Sequence, residues 1–105
     1  MKVKITGAAV VAVMLAAGPM QAQTAERKTD CGYQAAVVAA VQQARKDRVK
    51  ERQVQQHVMK VRTWPENYNN AIPLIAGWVY GRDVPMRDIR NKDLAAAWTE
   101  LCLQQ

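Results

Sequence analysis

Thr29-Asp30-Cys31-Gly32-Tyr33-Gln34 (TDCGYQ, residues 29–34) decides how this chain is read. It sets one of only two cysteines directly ahead of an alanine-rich apolar run, while the other, Cys102, falls within the last four residues. Cys31 has four conceivable roles: lipid anchor, metal ligand, redox nucleophile or half of a staple. A lipid anchor needs a small-residue box before the cysteine at the end of a leader, and Cys31 instead follows Lys28-Thr29-Asp30. Two cysteines and the single His57 do not make a zinc set at any recognised spacing. Thioredoxin-like or haem-attachment chemistry needs neighbouring cysteines, whereas these lie 71 positions apart. A disulfide formed in an oxidising compartment remains, and two cysteines allow one connectivity.

The start of the chain supports that compartment. Lys2 and Lys4 precede Ile5–Ala17, thirteen residues without a charge, and Gly18-Pro19 follows. This is the layout of a secretory signal peptide, expected over 1–22. The run is shorter than the ~20 residues needed to span a bilayer. A single domain of 83 residues, 23–105, would remain. Without Lys2 and Lys4 its formal charge is +4, against +6 for the whole chain. A domain this small buries only ~60% of the surface its unfolded chain exposes, which suits a covalent staple.

The apolar spacing is helical throughout, with no sustained alternation. Asp30 is placed to cap a first helix running from Cys31 to about Lys46, with Val37, Val41 and Ala44 on one stripe. A second helix spans about Glu51 to Arg62, with Val54, Val58 and Val61 inward; Trp64-Pro65 ends it. The third, Glu66–Tyr80, places Tyr68, Ala71, Ile72, Ile75 and Val79 on one face and pairs Leu74 with Trp78 beside it. Pro73 either starts that helix or kinks it, and Gly81 suits its C′ position. The link Arg82–Asn91 has room for one short turn. Asn91 would cap a last helix whose stripe is Leu94, Ala97, Trp98 and Leu101. The expected fold is therefore all-α: a small antiparallel four-helix domain stapled by Cys31–Cys102 after a cleaved leader.

Several of these elements occur together in a known group. Cys31 precedes an alanine-rich helix ending in Ala44-Arg45-Lys46-Asp47; then come an amphipathic helix, Ile75 with Val79-Tyr80-Gly81, a proline-containing link and a final helix closing on Cys102. The chain in this respect resembles a widespread group of small, exported, two-cysteine helical proteins of proteobacteria. The resemblance spans Cys31–Cys102 and implies architecture and compartment, with no activity attached. This chain departs from the group at Arg48, where glycine is usual, and in a longer link before the last helix.

Chemistry-bearing residues are sparse. There is no serine, so His57 has no hydroxyl or nearby thiol of the usual kind to activate, and no pair of carboxylates is placed for acid–base work. No enzymatic activity, cofactor or metal is expected. The polar feature that stands out is ARKDRVKERQVQQHVMKVR, residues 44–62. It carries Arg45, Lys46, Arg48, Lys50, Arg52, Lys60 and Arg62 against Asp47 and Glu51. Such a run is either a solvated helix face laced with i, i+4 pairs or a contact for an anionic surface. Trp64, at a proline turn, is the candidate exposed anchor for a partner. Nucleic acid is not an expected partner, because no recognition motif accompanies the charge. The expectation is a periplasmic, non-enzymatic protein-interaction module of the inhibitor, immunity or adaptor type. Its rivals are a peripheral binder of the anionic envelope surface, membrane or lipopolysaccharide, and a stress-related chaperone. Nine acids against thirteen bases suit the chaperone poorly.

Overall fold

A computed structural model describes the backbone of residues 2–105 and the side chains of residues 24–105, so the expected leader over 1–22 lies outside the residues described in full. The chain is all-helical, and its five α-helices are α1 (Lys2–Lys46), α2 (Val54–Met59), α3 (Ile72–Val79), α4 (Met86–Asn91) and α5 (Leu94–Leu103). Short 3-10 segments, Glu51–Gln53 and Glu66–Ala71, lead into α2 and α3. Among the described residues no helix is long and apolar enough to cross a membrane.

The valine stripe of α1 forms the floor of the core. Val37, Val38, Val41 and Ala44 are buried against Val54 and Val58 of α2 and Ile72, Ile75, Ala76 and Val79 of α3. The Cys31–Cys102 disulfide is formed, with the two Cα atoms 5.8 Å apart. It closes one end of an antiparallel pair. The start of α5 meets α1 at Leu94 and Gln42, its middle at Trp98 and Gln34, and its end at Cys102 and Cys31.

The structure differs from the sequence reading at element boundaries. Asp30 caps nothing: α1 runs straight through it, and its carboxylate accepts from the Tyr68 hydroxyl at 2.7 Å and from Gln34 at 2.9 Å. Helix α2 stops at Met59, leaving Val61 59% exposed, because the chain must turn to bring Trp64 into the core. The expected Glu66–Tyr80 helix splits into a 3-10 turn and α3, and Pro73 lies in the first turn of α3. There its missing N–H costs no intrahelical bond, which settles start over kink. Leu74 is 79% exposed, so only Trp78 of the expected pair packs, its ring 5.6 Å from that of Trp98. Gly81 has no left-handed φ; a Cβ there would lie 2.9 Å from the Gly77 carbonyl oxygen, so close approach is what requires glycine. The link holds the six-residue α4, which buries Ile89 and makes five helices of the expected four. Asp93, and not Asn91, caps α5 by accepting from the Ala96 amide at 3.0 Å.

The turn at Arg48 has the backbone geometry that suits glycine. Helix α1 ends in a Schellman motif: the Val49 amide donates to the Ala44 carbonyl at 2.9 Å and the Arg48 amide to Arg45 at 3.0 Å. Arg48 occupies the left-handed C′ residue, at φ 63°, and is the sole non-glycine with positive φ among the described residues. A side chain there costs roughly 1–2 kcal/mol, partly offset by the unfolded-chain entropy that glycine would add. Arg48→Gly is therefore expected to stabilise the fold by about 1 kcal/mol, raising the thermal midpoint by ~4–8 °C. A midpoint unchanged or lowered would contradict this account of the turn.

Candidate functional site

The basic run does not lie on one helix face. Lys46 ends α1, Arg48 is the left-handed residue, Lys50 is extended, Arg52 belongs to the 3-10 turn, and Lys60 and Arg62 follow α2. Helix α2, about 9 Å long at 1.5 Å per residue, separates the two groups. These six side chains, termed the ridge, are all exposed. The expected i, i+4 pairing is missing because residues 47–53 are not α-helical. Among the described residues the ion pairs are Arg87–Asp88 and Lys92–Asp88, and neither involves the ridge. Asp47 accepts from Gln43 at 3.1 Å. Six cations against Asp47 and Glu51 leave residues 46–62 with a local charge of +4.

Arg45 and Trp64 drop out of the expected site. The Arg45 guanidinium is half-buried, donating to the Val79 carbonyl and, at 2.7 Å, to that of Val84. It also lies 5.9 Å from the centre of the Tyr80 ring. A planar cation at the end of α3 satisfies carbonyls the helix leaves unpaired, so Arg45 is a structural clamp. Trp64 is only 4% exposed, and its indole donates to Asn69 at 2.8 Å. The chain after α2 folds back over it, so it offers no anchor to a partner.

Three further features frame the ridge. A groove of about 480 Å³ lies between Glu51–Gln55 and Ile72–Ala76. His57 is exposed on α2, with no hydrogen bond to another side chain among the described residues. Tyr80 donates to the Val49 carbonyl at 2.6 Å, tying the turn after α1 to the end of α3; burial raises its pKa, and Arg45 opposes that rise.

Further back along α1, a cleft of about 360 Å³ opens beside the disulfide, lined by Arg27, Asp30, Gln34, Trp98, Leu101 and the two cysteines. A chain of hydrogen bonds runs under it. Trp98 donates to Gln34 at 3.0 Å, Gln34 to Asp30, and Tyr68 to the other oxygen of Asp30. The Tyr68 phenol is held above its ordinary pKa, chiefly by that bond to Asp30 and then by desolvation. Sequence reasoning missed the Asp30 connection: an aspartate ahead of an apolar run looks like a cap, and nothing in the sequence places Tyr68 beside it.

No protein-family model, curated protein or solved structure matches this chain.

Proposed function

We propose that this chain is an exported, non-enzymatic interaction module of the periplasm that docks an acidic protein partner through Lys46, Arg48, Lys50, Arg52, Lys60 and Arg62. One observation carries the reading: six exposed cations lie in the turns on either side of α2, and among the described residues none of them has an ion-pair partner. Unpaired like charges repel one another and contribute nothing to the fold, whereas they steer and hold an anionic surface. The leader-like segment over 1–22 and the two-cysteine usage support export. Burial of Trp64 leaves the interface without its expected apolar anchor, so charge supplies most of the attraction.

A second reading, anionic lipid or lipopolysaccharide as the surface, is favoured by Met59 and Val61. These are 43% and 59% exposed beside Lys60 and Arg62, the mixture of apolar and cationic groups that headgroups attract.

Binding to polyglutamate and to phosphatidylglycerol vesicles separates the two. Polyglutamate should bind at low salt and be lost by ~0.5 M, where screening falls to a few ångströms. Reversing Lys46, Arg48, Lys50 and Arg52 to glutamate should weaken it by more than about tenfold. Vesicle binding that exceeds polyglutamate binding would favour the lipid reading, and binding of neither probe would defeat both.

A further inference from the structure

We propose that, once its disulfide is reduced, this chain binds a thiophilic divalent cation such as Zn²⁺ through Cys31, Cys102 and Asp30. The ligand atoms of these three residues, two sulfurs and a carboxylate oxygen, all lie within 4.8 Å of one another. A tetrahedral zinc site with Zn–S near 2.3 Å and Zn–O near 2.1 Å needs its ligand atoms roughly 3.5–3.8 Å apart. The side chains therefore have only an ångström or two to move, and the 5.8 Å Cα separation of the cysteines accommodates two sulfurs on one metal.

The carboxylate is already aimed and held. Tyr68 donates to one oxygen at 2.7 Å and Gln34 to the other at 2.9 Å, the kind of outer partners that fix a ligating carboxylate. Each oxygen keeps a further lone pair for a metal. The cleft of about 360 Å³ provides an entry path and a fourth position for water. Cys31 is fully buried and Cys102 half-buried, so the metal enters from the Cys102 side. Two thiolates and one carboxylate around Zn²⁺ leave a single negative charge, and the Arg27 cation lines the same cleft.

The chemistry balances with a dithiol reductant. It delivers two electrons and two protons to the Cys31–Cys102 bond, which breaks into two thiols as the reductant closes to its own disulfide. Zn²⁺ then displaces the two thiol protons to solvent, while the Asp30 carboxylate adds its oxygen without losing a proton.

The test uses the full chain, reduced with a phosphine under anaerobic conditions and titrated with Zn²⁺ and separately with Cd²⁺. Expected results are one metal per chain by calorimetry, a thiolate-to-cadmium ultraviolet band, and no binding by the oxidised protein. Asp30→Asn should weaken binding by about tenfold or more, and Tyr68→Phe, acting through the carboxylate, by about tenfold. Absence of the cadmium band in the reduced chain would overturn the proposal, as would wild-type affinity in Asp30→Asn. Should reduction melt the fold, circular dichroism keeps the test decisive. Helix regained on adding Zn²⁺ supports the site, and no regain with no band defeats it.

Discussion

Replacing both Cys31 and Cys102 with alanine is expected to lower stability by about 4 kcal/mol, the value for a closed loop of this size. That is a large share of the ~5–15 kcal/mol typical of a domain. The bond matters here because α5 has little else at its far end. Leu94 is its one buried residue, while Leu101 is 57% exposed. Beyond Leu94, α5 is held by the contacts of Trp98 with Gln34 and Trp78, and by the disulfide. Denaturant unfolding of the wild type and the double variant measures the difference. A loss below about 1 kcal/mol would mean that the unfolded chain is already compact enough to make the cross-link redundant.

The second large effect is expected at Gln42, the one buried polar side chain among the described residues. Its amide donates to the carbonyls of Ile89 at 2.8 Å and Lys92 at 2.7 Å, and its oxygen accepts from the Leu94 amide at 3.3 Å. A single side chain thus satisfies the turn between α4 and α5 and fastens it to α1. Gln42→Leu keeps the volume and strands three backbone groups. Each net hydrogen bond is worth about 1 kcal/mol and each stranded buried group costs more, so a loss on the order of 3 kcal/mol is expected. Hydrogen exchange at the Leu94 amide should accelerate beyond the global change. An effect under about 1 kcal/mol would show that water replaces the glutamine in the turn.

Much of this fold was legible in the sequence because apolar periodicity and cysteine spacing are direct records of burial. Val37, Val41 and Ala44, the Ile72–Ile75–Val79 face and the Cys31–Cys102 pair all read correctly. What was not legible depends on partners without a side-chain signature. Arg45 looks like any member of a basic run, since the groups it clamps are the carbonyls of Val79 and Val84. Gln42 binds only backbone and gives no pattern. Trp64 was misread because a proline turn suggests exposure, whereas the bulk of the indole draws the turn inward. The ridge was half legible: its charges are in the sequence, but their lack of pairing follows from the non-α-helical backbone at 47–53.

We propose that the ridge, and not the helices' apolar faces, is what a partner meets. The most direct test is affinity capture from an envelope extract at low salt and ~0.5 M salt, where exposed charges are screened within a few ångströms. The wild type is compared with the variant carrying Lys46→Glu, Arg48→Glu, Lys50→Glu and Arg52→Glu, its helix content first matched by circular dichroism. An acidic protein retained by the wild type at low salt, released at high salt and absent from the variant is the predicted result. The same protein retained equally by both, at either salt, would contradict the claim.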